Sequence, residues 1–257
     1  MHPTGWAAMM AGGLFVGMVA CVEFGYRLGG RHSKNLATPH EGISAMEAAV
    51  YGLLGLLLAL SFSGGSTRLD ARRKLIMEEA NAIGTAYLRL DLLPAGDQPA
   101  LRRSFREYLD ARLSVYQKMP DLDAADREIA RAARIQNTIW SEAIAAGRND
   151  PTGGAARLLL PAINEMIDVT TSRTVALHVH MPGLIFALLI GIALLSGLLA
   201  GYAMAKRKRR SWLHMFVYVM VVSLTVYAVA DLDYPRSGLI RLDAADHALS
   251  QLRDSIR

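Results

Sequence analysis

Apolar side chains occur along this chain in two patterns, and the change between them is sharp. Four windows are almost free of charge: Trp6 to Phe24 holds only Glu23, Ala45 to Phe62 only Glu47, and Met181 to Ala205 and Trp212 to Ala230 hold no Asp, Glu, Lys or Arg. At the rise of an α-helix, 19 residues cover about 28 Å, close to the hydrocarbon thickness of a bilayer. Two such windows would suit buried helices of a soluble protein. Four of them, flanked by charge or interfacial aromatics, predict a polytopic membrane protein. The second has the shortest unbroken apolar run, Ala48 to Phe62, and requires a thinned bilayer or protein neighbours around it.

Between the second and third windows the pattern turns amphipathic. Leu69, Ile76, Ala80, Ile83, Tyr87 and Leu90 recur at steps of seven, four, three, four and three, which is one helix face. Pro94-Ala95-Gly96-Asp97 breaks it. A second helix carries Leu101, Phe105, Leu109, Leu113 and Tyr116 on one side, and Met119-Pro120-Asp121 closes it. A third runs from Asp123 to Ala146 with Ile129, Ala133, Gln136 and Trp140 as its stripe. After the loop from Gly147 to Gly154, a fourth runs from Ala155 toward His178, with Pro161 in or near its first turns. No stretch alternates like a strand. The expected fold is therefore all-α, with four transmembrane helices and a helical bundle between the second and third. The divisions fall at 1–63 (transmembrane helices 1 and 2), 64–180 (polar bundle), 181–230 (transmembrane helices 3 and 4 with a basic loop) and 231–257 (polar C-terminal tail). Gly64-Gly65 and Met181-Pro182-Gly183 are the only punctuation at the bundle's two ends. Its first and fourth helices are accordingly expected to continue the second and third membrane segments.

Composition narrows the function classes. With 52% hydrophobic residues and a net charge of +5, the chain does not have the makeup of a disordered protein. Its single cysteine, Cys21, cannot form an intrachain disulfide. Met18-Val19-Ala20-Cys21 departs from a lipoprotein box at its first position, and no Lys or Arg precedes the first window, so that helix is expected to stay as a membrane segment. The polar region from Ser66 to His178 holds 16 of the 28 basic and 15 of the 23 acidic residues. Such a mixed, nearly neutral surface gives no footprint for nucleic acid.

Basic residues in short loops set orientation. Arg27, Arg31 and Lys34 follow the first window, and Lys206 to Arg210 separate the third and fourth. Both loops read as cytoplasmic, which places the bundle and both termini outside the cytoplasm, in a multi-pass cell (inner) membrane protein. Arg68, Arg72, Arg73 and Lys74 after the second window are the opposing observation.

The run Leu53-Leu54-Gly55-Leu56-Leu57-Leu58-Ala59-Leu60-Ser61-Phe62-Ser63-Gly64 leads into Arg68-Leu69-Asp70-Ala71-Arg72-Arg73 and then Glu78-Glu79-Ala80-Asn81-Ala82-Ile83-Gly84-Thr85-Ala86-Tyr87-Leu88-Arg89-Leu90-Asp91. Together with Asp231-Leu232-Asp233-Tyr234-Pro235-Arg236-Ser237-Gly238-Leu239-Ile240, it resembles the bacterial bestrophin-like family, a membrane domain of unknown function. The motif residues of that resemblance are Arg68, Asp70, Arg72, Arg73, Glu79, Asn81, Arg89, Asp91, Asp231, Asp233, Pro235 and Gly238. True bestrophin anion channels are more distantly similar. In them the second membrane segment lines a pentameric pore ending in a phenylalanine-rich neck, followed by an arginine, two residues, then Glu-Ala-Arg. Here the corresponding stretch, Arg68-Leu69-Asp70-Ala71-Arg72, is one residue short, and only Phe62 stands where a neck aromatic would be. The channels also keep their helical domain in the cytosol, against the charge count above.

The resemblance implies an oligomeric ion channel or permeation pathway lined by the second helix. Tyr51, Leu54, Leu58, Ser61 and Phe62 are the pore-lining candidates, since an apolar face suits a dewettable constriction. Its partners would be the bilayer, further copies of the chain and a small inorganic ion. The alternative is a non-conducting scaffold or sensor whose bundle binds a partner. Small-residue pairs at Gly13/Gly17, Gly52/Gly55 and Gly197/Gly201 suit close helix packing. Glu23 is expected to pair with Arg27 or Arg31. Asp231 and Asp233 oppose the helix dipole at the end of the last segment, so a compensating cation such as Arg72 or Arg73 is expected. Calcium is the lesser reading there, because two aspartates are too few ligands. Asn81 and Thr85 suit interhelical hydrogen bonds, and His178-x-His180 diverges on a helix. No P-loop, GxGxxG or HExxH occurs, so neither enzymatic activity nor a cofactor is expected.

Overall fold

The computed structural model describes residues 5–32, 41–118, 121–150, 153–205, 211–234, 239–240 and 243–256. Every regular element among them is helical: α1 (Trp6–His32), α2 (Glu41–Leu88), α3 (Gln98–Lys118), α4 (Leu122–Asn149), α5 (Gly154–His178), α6 (Gly183–Ala205), α7 (Trp212–Asp233) and α8 (Asp243–Ser255). A 3-10 turn over Arg89–Leu92 follows α2. Among the described residues, four stretches are long and apolar enough to cross a membrane, carried by α1, α2, the α5–α6 stretch and α7. The chain divides into two compact units, one from residues 3–69 and 180–240, the other from 70–179 and 241–257.

In the first unit the helices are held by small residues. A Cβ added at Gly25 would lie 2.0 Å from the Leu198 carbonyl oxygen, and one at Gly201 would lie 2.0 Å from that of Val22. Backbones of α1 and α6 therefore touch, as only glycine permits. Gly197/Gly201 serve as the sequence suggests, set against Met18, Val22 and Tyr26 of α1, while Gly25 and Gly29 of α1 admit Leu198, Tyr202 and Ala205 of α6. Gly17 faces the Leu194 side chain, whereas Gly13, Gly52 and Gly55 face open space. Met18, Val22, Leu54, Ala193, Val219 and Val226 form the core. Trp6 closes one end, edge-on to Phe186 and Tyr234.

The second unit is the amphipathic bundle. The stripes of α2 and α3 are buried as their spacing predicts: Ile76 and Ile83 on one, continued by Leu90 in the 3-10 turn, and Leu101, Phe105 and Leu109 on the other. On α4 the buried line is displaced. Gln136 is buried and Ile129 and Trp140 pack partly against the core as expected, but Ala133 is exposed, and Ala125, Ala132, Ile139 and Ala143 face the core in its stead. The Asp121 carboxylate accepts from the Ala124 amide and caps that helix. Residues 243–255 form α8, which packs on α3 through Leu249 and a two-point pair of Arg253 with Asp110.

The two expected continuities end differently. α2 passes through Gly64-Gly65 without interruption, and Gly65 admits the Leu232 side chain, whose Cβ is 3.2 Å from where a glycine substituent would stand. α5 and α6 are separate helices, with Val179 to Pro182 non-helical between them. Pro182 has no amide hydrogen and disfavours a helical Met181, which accounts for the break.

Candidate functional site

The motif residues divide between the two units, and most of those described engage a specific partner. In the first unit, Asp233 ends α7 with its side chain fully buried. Arg68 Nε donates to its Oδ1 at 2.9 Å. The Met181 amide donates to Oδ2 at 2.9 Å and to Oδ1 at 3.2 Å. One carboxylate thus ties α2, the linker before α6 and the end of α7. Compensation for the acid at this helix end comes from Arg68, one turn before the expected Arg72. Asp231 is 2% exposed, and its Oδ2 accepts the Leu239 and Ile240 amides at 3.1 and 2.9 Å, fixing the chain beyond the helix. Its Oδ1 has no partner among the described residues. A divalent cation held by both aspartates would have to displace Arg68 from Asp233. Pro235 and Gly238 lie outside the described residues, as do Lys34, Lys206 to Arg210 and Arg236. Glu23 pairs with Arg27 at 2.7 Å.

In the second unit, Arg72 is buried and donates to the carbonyls of Ala176 and Val179 at 3.1 and 2.8 Å, closing the C-terminal end of α5 where a cation suits the dipole. Arg73 pairs with Asp70 on the surface. Glu79 lies at the centre of the bundle, fully buried. Arg112 donates to its Oε1 at 2.6 Å, and Arg173 to its Oε2. The Arg173 guanidinium lies 4.1 Å from the Tyr116 ring centroid, and Tyr116 Oη accepts from Arg112 at 2.9 Å. The hydroxyls of Tyr108 and Thr170 are 2.8 Å apart, and Gln136 Nε2 donates to Tyr108 at 3.1 Å. Burial pushes the Glu79 carboxyl up, but the charges and hydrogen bonds of the two arginines outweigh it and hold it below the ordinary value. Burial and then the Glu79 charge push the Tyr108 hydroxyl up, so it stays a neutral hydrogen-bonding group. Arg89 donates to the Leu158 carbonyl at 2.6 Å, and Asp91 pairs with Arg102. Asn81 and Thr85 are exposed on α2, on a face away from the helices that would have bonded them.

Sequence reasoning missed Arg112 and Arg173. Their positions were nevertheless signalled: Leu101, Phe105, Tyr108, Arg112 and Val115 recur at steps of four and three, and Leu159, Met166, Thr170 and Arg173 at steps of seven, four and three. A charged residue in register with a buried stripe requires a buried partner, and Glu79 stands in register on the α2 stripe.

The pore-lining candidates do not share one environment. Leu54 and Ser61 are buried inside the chain, at 3% and 6% exposure. Tyr51 is half-buried and edge-on to Tyr218, and Leu58 packs partly against the core. Phe62 is exposed. The open face of α2 instead carries Leu53, Leu56 and Leu60, at steps of three and four. Exposed positions continue along α2 at Thr67, Asp70, Lys74, Met77, Asn81 and Leu88.

Comparison with known proteins agrees with this arrangement. No curated protein matches the chain. Among solved structures, a bacterial bestrophin homologue from Klebsiella pneumoniae superposes with a TM-score of 0.68, covering 97% of each chain at 15% sequence identity, a likeness of fold. The bestrophin-like domain family matches residues 13–246. Four apolar membrane-type helices, a helical bundle and the match across nearly the whole sequence make this chain a member of the bestrophin-like family of membrane-associated proteins.

Proposed function

We propose that copies of this chain assemble with α2 around a shared axis and form an ion permeation pathway in the cell membrane. The observation that carries the reading is exposed apolar surface on α2 beyond its apolar window. Met77 is 48% exposed and Leu88 is 69% exposed, both in the second unit, where lipid does not account for them. A second copy of the chain would cover them, and the same helix presents Leu53, Leu56 and Leu60 within the apolar window. Phe62 remains a lining candidate. Leu54 and Ser61 act by packing α2 against its own chain. The constriction is apolar, so permeation would be controlled by wetting. The test is flux of small anions and cations into liposomes containing the purified protein. A membrane anchor whose bundle merely binds a partner would pass neither.

The bundle lies outside the cytoplasm in this reading. Two of the basic residues that oppose it, Arg68 and Arg72, are committed to Asp233 and to the end of α5, so folding accounts for their presence. Single cysteines at Asp97 and Lys208, in a Cys21→Ser background, decide the matter. A membrane-impermeant thiol reagent added to intact cells should label the first and spare the second. The reverse labelling would place the bundle in the cytosol.

A further inference from the structure

The apolar window of α2 holds one charged side chain, Glu47. Glu47, Tyr51, Leu54, Leu58 and Ser61 recur at steps of four, three, four and three, so they share one side of the helix. That side faces the chain's own core: Leu54 and Ser61 are buried, and Glu47 and Tyr51 are half-buried. Glu23 of α1 has Arg27 as its partner, but Glu47 has no cation paired with it among the described residues. Its charge acts on Tyr51, one turn on, and the Tyr51 hydroxyl makes no hydrogen bond to a described residue. The Tyr51 ring meets Tyr218 of α7 edge-on, with centroids 6.1 Å apart. Ser196 Oγ donates to the Ala193 carbonyl at 2.7 Å, so its hydrogen is spent. Tyr218 Oη, 2.6 Å away, is therefore the donor to Ser196, which leaves lone pairs on the tyrosine oxygen to accept.

We propose that Glu47, Tyr51 and Tyr218 bind a monovalent cation between α2 and α7. A carboxylate within a membrane segment is costly without a counter-charge, and here its neighbours offer oxygen acceptors rather than a lysine or arginine. One negative charge among neutral oxygens matches one positive charge. A divalent ion would need further carboxylates, and the apolar windows of α6 and α7 contain none. At the far end of its membrane segment α2 is tied to α7 through Arg68 and Asp233. The bound cation supplies the corresponding tie near the start of both helices. Glu47 lies on the opposite side of α2 from the open line of Leu53, Leu56 and Leu60, so the site belongs to a single chain. The inference does not depend on conduction.

Thermal unfolding of the detergent-solubilised full chain tests it, with sodium or potassium chloride replacing N-methylglucamine chloride at constant ionic strength and about pH 8. The parent should melt about 3–5 °C higher once the small cation reaches about ten times its dissociation constant. Glu47→Gln should lose that rise. No rise in the parent, or an equal rise in the variant, would overturn the site. Tyr51→Phe keeps the ring against Tyr218 and removes one oxygen, so it should need several-fold more cation for the same rise; an unchanged midpoint would count against the proposal. Sodium-23 relaxation on the parent supplies a readout that needs no variant: the line should broaden with protein and sharpen again when potassium is added. A line unaffected by the protein, or a melting point that follows pH and ignores both salts, would assign Glu47 a proton in place of a metal ion and end the proposal.

Discussion

At the scale of single residues, Glu79 carries the most concentrated electrostatics in the chain. It is fully buried between Arg112 and Arg173, and removing its charge would leave two guanidiniums in the bundle core with no carboxylate between them. Glu79→Gln should lower stability by about 3–5 kcal/mol, the usual cost of breaking a buried pair from one side. Thermal or denaturant unfolding in detergent measures it. The pH dependence has a definite sign. The folded chain holds this carboxyl below its ordinary 4.5, so its contribution is complete above that value and is lost as the pH falls through the lowered one. Acid unfolding of the parent should include this loss, and the Gln variant should lack it. Glu79 was legible as part of a motif, but its function as a buried centre was not. That required knowing that α3 and α5 both bring an arginine to it, a three-dimensional coincidence that spacing within one helix signals only in part.

At the scale of elements, the amphipathic stripes and the apolar windows were readable because each is a local periodicity. What was not readable is how one helix is rotated against the next. On α4 the buried line runs through Ala132 and Ile139 rather than Ala133. In a helix rich in alanine, neighbouring registers differ little in apolar content, so the partner helices decide. The same limit applies to α2, where Leu54 and Leu56 are equivalent in type, yet one is buried and the other exposed. Glycines divide in the same way. Gly201→Leu would drive a side chain into the Val22 carbonyl and should abolish recovery of folded protein, whereas Gly52→Ala, in open space, should leave it unchanged. Size-exclusion profiles of the two variants after identical extraction provide the comparison. Loss of both, or of neither, would contradict the close approach of α1 and α6.

At the scale of the whole molecule, four apolar windows interrupted by a mixed-charge bundle already defined the all-α membrane architecture, because the bilayer imposes length and composition on any chain that crosses it. The family followed from residues whose uses are now visible: Arg68 and Asp233 in one unit, Arg72 and Glu79 in the other. Assembly is a property of surfaces left uncovered, and a single sequence does not show which face its own helices cover. The exposed line of α2 through Leu53, Leu56 and Leu60, with Met77 and Leu88 beyond it, is the feature on which the permeation account rests. Flux through reconstituted liposomes tests it most directly, comparing the parent with Leu56→Ala and Phe62→Ala. The account predicts passage of a small ion by the parent, at a rate altered by both substitutions in the exposed face and little changed by Asp97→Asn on the bundle surface. A well-folded protein that passes neither anions nor cations would contradict it.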